Sequence, residues 1–75
     1  MKELVEYVVK GLVDHADQVV VTEIRNGKSV TLELHVAPDD MGRVIGKGGK
    51  VANALRALLR AMAAKDNVRV TLDID

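Results

Sequence analysis

The sequence predicts one two-layer α+β domain over residues 1–75, in the order α-β-β-α-α-β, with a mixed three-stranded sheet and all three helices on one of its faces. Three observations lead there. First, helix-period and strand-period apolar patterns follow one another along 75 residues that are 48% hydrophobic and 29% charged, a chain too short for a second core and too apolar for disorder. Second, each strand-like stretch keeps its apolar residues on one face, which leaves the other side of the sheet wet. Third, the first two strands are joined by a tight turn, whereas two helices separate the second from the third, a crossover that makes that pair parallel.

From Lys2 to His15, the residues Leu4, Val5, Val8 and Leu12 form one helical stripe, with Val9 and Val13 at its edge and Glu3, Glu6, Lys10 and Asp14 outside it. Val19 to Arg25 and Lys28 to Ala37 are β-branched and alternating, with Val20, Thr22 and Ile24 on one face and Val30, Leu32, Leu34 and Val36 on one face. Residues opposite each other in an antiparallel ladder share a face, so a two-residue Asn26-Gly27 turn would set Glu23 against Val30. A three-residue loop, Arg25-Asn26-Gly27 with Gly27 left-handed, pairs Thr22 with Val30 and Val20 with Leu32, and is the expected register.

Beyond Pro38, the acids Asp39 and Asp40 stand where a helix favours an N-cap and negative charge, and a short helix through Met41 to Ile45 follows until Gly46 ends it. A longer helix runs from about Lys50 to Ala64, with Val51, Leu55, Leu58 and Met62 as its expected core stripe and Asn53, Arg56 and Arg60 on another side. Its many alanines favour helix. Asp66-Asn67 break it, and Val68, Val70, Leu72 and Ile74 alternate with Arg69, Thr71 and Asp73 in a last strand.

Eleven basic and eleven acidic residues cancel, but they are segregated. Residues 1–40 hold four basic and eight acidic side chains, residues 41–65 six basic and none acidic, and residues 66–75 one and three. One third of the chain therefore attracts anions. No cysteine is present, which excludes disulfides and thiolate metal sites, and the two histidines make a poor metal cage. His15 near a helix end complements the dipole and His35 falls on the wet sheet face, so no catalytic or metal role is expected of either. No Ser/His/acid set or paired-carboxylate signature is present, and neither enzyme nor cofactor is expected. No apolar run approaches the roughly 20 residues of a membrane helix, and charges interrupt Met1-Lys2-Glu3-Leu4-Val5-Glu6 where a secretory signal is apolar; the expected location is the cytoplasm.

The stretch Gly42 to Val51 places four glycines and three cations between two helices. Glycine permits positive φ and close backbone approach, and the amides opening the following helix carry the positive end of its dipole. Those are the parts of a phosphate contact. The phosphate loop of nucleotide hydrolases fails, because five residues after Gly42 comes Lys47, and the dinucleotide fingerprint fails, because its third glycine would fall on Val51. Gly46-Lys47-Gly48-Gly49 does fit a G-x-x-G loop between helices, the element that in KH domains clamps the backbone of about four single-stranded nucleotides.

Nearly the whole chain resembles the bacterial single-KH-domain RNA-binding family of the KhpA type. The resemblance is carried by Glu3-Leu4-Val5-Glu6-Tyr7, by Val36-Ala37-Pro38-Asp39-Asp40-Met41-Gly42 and by the core Arg43-Val44-Ile45-Gly46-Lys47-Gly48-Gly49. It implies the type II KH fold, a non-enzymatic single-stranded-RNA-binding module, and a role as RNA chaperone or post-transcriptional regulator. It further implies that Gly46, Lys47, Gly48 and Gly49 hold the sugar-phosphate backbone, that Arg43 and Lys50 support them, and that Val44, Ile45 and Val51 floor a shallow groove for bases. Gly48 departs from the polar residue expected in many relatives. With Tyr7 as the one aromatic residue, a stacking platform is excluded.

Other readings stand beside these. Val44 and Ile45 can anchor the short helix in the core, Arg56 and Arg60 can be a solvated helix face or extend the basic track, and Tyr7 reads as a helix-surface or interface residue. The resemblance also implies self-association and pairing with a larger Jag-type KH protein; separately from the resemblance, the long-helix side near the loop is the face expected to form the homodimer. The competing function is a protein-interaction module on the same scaffold with little RNA binding of its own.

Overall fold

The computed structural model describes residues 1–75 and has the expected element order. Helix α1 spans Lys2–Leu12 and a short 3-10 turn Ala16–Gln18 leads into β1, Val20–Asn26. Strand β2 spans Ser29–His35, followed by a 3-10 turn at Pro38–Asp40 and helix α2, Met41–Ile45. A further 3-10 turn at Lys47–Gly49 opens α3, Lys50–Lys65, and β3 closes the fold at Arg69–Ile74. The sheet order is β1-β2-β3, antiparallel between β1 and β2 and parallel between β2 and β3.

One core holds the layers together. Val5 and Val9 from α1, Val44 from α2, and Leu55 and Leu59 from α3 meet Val30, Leu32, Leu34 and Leu72 of the sheet in a single cluster, so all three helices lie on the same sheet face. Fully burying each such side chain contributes about 1.5–3 kcal/mol, and no buried side-chain polar atom lacks a partner. No helix is long and apolar enough to cross a membrane.

The hairpin departs from the expected register. Asn26 pairs with Ser29, leaving a two-residue turn at Gly27-Lys28, and Val21 stands opposite Leu34. Positive φ at Gly27 but not at Lys28 suits a two-residue hairpin turn with glycine first. The core face of β1 is therefore that of Val21, which is buried, while Val20, Thr22 and Ile24 face the open side and are exposed. Glu23 and Arg25 share the face of Val21, opposite Leu32 and Val30, yet both are exposed. Only the start of β1 is covered by the helix layer, so polar residues farther along carry no desolvation cost.

Two helical stripes are rotated from expectation. In α1, Val5 and Val9 are buried and Leu12 is exposed; the helix stops at Leu12, with Val13 already extended, rather than at His15. In α3, the buried residues are Ala52, Leu55, Leu59 and Ala63, and Leu58 and Met62, expected inside, are 52% and 37% exposed. Alanine at two contact positions lets α3 lie close to the sheet, and the larger residues are turned outward.

Candidate nucleic-acid interface

The loop joining α2 to α3 is built by three glycines in conformations that other residues rarely adopt. Gly46, which ends α2, has φ 78° and ψ 170°, Gly48 has φ 65° and ψ 20°, and Gly49 has φ 81° and ψ 12°. Gly46 is required twice over, since a Cβ there would lie 2.6 Å from Val51 Cγ2 and 2.8 Å from the Val51 amide nitrogen. Around Gly48 nothing lies within 4 Å of such an atom. The Gly46 N–H donates to the Gly42 carbonyl at 2.9 Å and the Gly49 N–H to that of Gly46 at 3.1 Å, which holds the turn without side chains.

No side chain caps α3. Its first-turn amides and the positive end of its dipole thus meet the loop directly, an arrangement that attracts anions. Lys47 and Lys50 are exposed and neither has a carboxylate within ion-pair distance. Arg43 pairs with Asp14 at 3.1 Å, with both side chains more than half exposed, so the pair holds little energy and leaves the guanidinium accessible.

The aliphatic residues divide between two tasks. Val44 is fully buried in the core and supports α2 from within, which removes it from the groove floor. Ile45 is 37% exposed, and Val51, half-buried, packs beneath Gly46. Arg43, Ile45, Lys47, Gly48 and Lys50 are thus the exposed members of the nine-residue segment proposed from sequence, with Gly46, Gly49 and Val51 half-buried.

Beneath this segment Asp40 does something other than the capping expected of it. Its carboxylate makes no cap bond to α2; it is buried and accepts from the backbone N–H groups of Asp14 and His15, each at 3.0 Å. Burial disfavours the charged form, but the two N–H donors, with His15 and Arg43 nearby, outweigh it and hold Asp40 below the ordinary carboxylate range. His15 lies past the end of α1, at the start of the 3-10 turn Ala16–Gln18, and not in the last turn of a helix whose dipole it would complement. This clasp, with the Arg43–Asp14 pair outside it, fixes the start of α2 against that connection.

A second feature, only partly anticipated, adjoins the loop. Between α3 and the free edge of β3 runs a cleft of about 190 Å³ lined by Arg56, Leu59, Arg60, Val70, Thr71 and Leu72. Arg56 is half-buried and its Nη2 donates to the Leu72 carbonyl at 3.2 Å, so it is not simply a solvated residue. Arg60 is exposed and free of acidic partners. The signal was present in sequence: Asn53, Arg56 and Arg60 share a helix face, and Asn53 Nδ2 lies 3.5 Å from where a Gly49 Cβ would be, so that face continues from the loop. That β3 is a free edge was not visible, because it follows from the strand order.

Comparison with known proteins agrees with this geometry. The family described as KhpA/KhpB, KH domain matches residues 2–74. The RNA-binding protein KhpA of Halalkalibacterium halodurans is 54% identical over 74 residues, covering 99% of this chain and 97% of that protein. That of Clostridium acetobutylicum is 50% identical, covering 99% of both chains, and that of Chlamydia trachomatis is 43% identical, covering 99% and 95%. No solved structure matches the chain.

Proposed function

The chain belongs to the KhpA/KhpB KH-domain family, and from that premise we propose that it is a non-enzymatic single-stranded-RNA-binding module whose loop Gly46-Lys47-Gly48-Gly49 holds the sugar-phosphate backbone. The observation that carries the reading is the loop itself. Three positive-φ glycines open an uncapped helix, and two lysines without acidic partners flank the turn. Glycine clears the approach, the amides and dipole supply local attraction, and Lys47 and Lys50 add the ion-releasing attraction typical of phosphate contacts. Arg43 supports them, and Ile45 and Val51 offer aliphatic surface to the neighbouring base.

Such a module serves as an RNA chaperone or post-transcriptional regulator in the cytoplasm. One small groove reads few nucleotides, so a second linked site raises effective affinity. A homodimer through the exposed side of α3, where Leu58 and Met62 stand out beside Ala54 and Ala61, meets that need, as does pairing with a larger Jag-type KH protein. Sedimentation of the free protein tests the first; a strict monomer at high concentration excludes the homodimer.

The loop is tested by the double substitution Lys47→Asp, Gly48→Asp. Aspartate tolerates the left-handed conformation better than most residues, and the space around Gly48 is open, so the circular dichroism spectrum is expected to be unchanged. RNA binding is expected to be lost. Full binding by the folded variant would remove the loop from the interface.

A further inference from the structure

The two edges of the sheet differ in what borders them. Arg56 and Arg60 of α3 stand along β3, whereas β1 is exposed from Thr22 to Asn26, where the helix layer no longer covers it. The carbonyls of Lys28 and Leu34 accept from the N–H groups of Arg69 and Asp75, so the even-numbered positions of β2 turn toward β3. Its odd-numbered residues bond to β1 through Asn26, Ile24, Thr22 and Val20, which leaves the N–H and C=O of Val21, Glu23 and Arg25 directed outward. Such a row is a template for another strand, and natural edges are commonly blunted by proline, lysine or a bulge. Strand β1 has seven residues with no proline, no lysine and an unbroken register.

The charges on this edge complement a second copy of it. Glu23 and Arg25 are exposed on one face, their neighbours across the ladder are Leu32 and Val30, and neither belongs to an ion pair. We infer that two copies of this chain join by antiparallel pairing of their β1 edges about a two-fold axis at Ile24. In that register Glu23 of each copy lies opposite Arg25 of the other on a shared face, and the two residues exchange both backbone hydrogen bonds. Ile24, 49% exposed, meets its own counterpart at the closer spacing of a non-hydrogen-bonded pair. Sliding the strands by two residues either way moves the axis to Glu23 or to Arg25 and sets like charge against like, so the charges select one register. The product is a six-stranded sheet with the helices of both copies on one side and the two β3 edges outermost, about 24 Å apart across five strand spacings. This contact goes beyond the RNA-binding reading and uses neither the glycine loop nor the exposed side of α3.

Sedimentation of the RNA-free protein over a range of concentrations reads the association. Glu23→Arg and Arg25→Glu, each alone, are expected to weaken it roughly fivefold or more, because both symmetric pairs become like-charged. The two substitutions together exchange the charges and are expected to restore it. The chain has no cysteine, so Ile24→Cys places its one thiol on the axis. Under the same mild oxidant it is expected to form a disulfide-linked dimer well ahead of Val20→Cys, whose thiols stand about 27 Å apart in this register. A strict monomer at millimolar concentration, an association that neither single reversal weakens, or one that the double exchange fails to restore would overturn the inference, as would equal cross-linking of the two thiols. Should a charge variant not fold, the cross-linking comparison still decides. Short single-stranded RNA is expected to bind Glu23→Arg as it binds the unaltered protein, so failure of the pairing leaves the RNA-binding reading intact.

Discussion

At the scale of single residues, two neighbouring glycines separate a structural requirement from a functional one. Gly46 needs both a backbone conformation closed to other residues and the space that Val51 would contest, whereas Gly48 needs only a left-handed φ in open surroundings. Gly46→Ala is therefore expected to destabilise the domain by about 1–3 kcal/mol and Gly48→Asn by less than about 1 kcal/mol, differences that thermal melting resolves. Asp40 makes the complementary point. Since its carboxyl is held below the ordinary range in the folded protein, its stabilisation is complete above the unfolded carboxylate value and is lost as pH falls through the lower folded value. Thermal midpoints should thus drop below about pH 4, and Asp40→Asn should melt lower at neutral pH and show less of that acid-side decline. A sequence shows an acid ahead of a helix, and capping is the local explanation. The amides that Asp40 serves lie 25 and 26 residues earlier in the chain, and nothing local points to them.

At the scale of elements, sequence period located α1, α3 and the three strands, and the acids before Met41 and the glycine after Ile45 bracketed α2, while the face each one buries was less legible. For α3 the apolar residues form a band wide enough to admit two stripes, and the larger side chains marked the one that faces outward. Leu59→Ala is expected to cost about 2–5 kcal/mol and Leu58→Ala within about 0.5 kcal/mol in the monomer, the reverse of their weights in the expected stripe; denaturant unfolding at low protein concentration measures both. For β1 the choice of face followed from requiring all of Val20, Thr22 and Ile24 to meet the core. Only Val21 and the adjoining Val19 do so, because the helix layer ends before the strand does. The loop was more readable than either, since glycines and lysines between two helices leave few alternatives, and the charged face of α3 was readable as a face though not as a cleft wall.

For the molecule as a whole, folding turns a charge segregation along the chain into one across its surface. The basic residues of 41–65 line the loop and α3, whereas Glu33, Asp73 and Asp75 gather with His35 around a depression on the open sheet face. A polyanion is attracted to one side and repelled from the other. Binding should accordingly weaken steeply with salt, and Lys47→Ala should lower the slope of log affinity against log salt by about 0.7, the value for one single-strand phosphate contact. The central claim is tested most directly by an amide-resolved NMR titration of the isotope-labelled protein with mixed-sequence single-stranded RNA. Shifts centred on Arg43 to Val51, extending to Asn53, Arg56, Arg60 and Leu72, are the predicted result. A silent spectrum at millimolar RNA, or shifts confined to the open face around Thr22, Glu33 and Asp73, would contradict it.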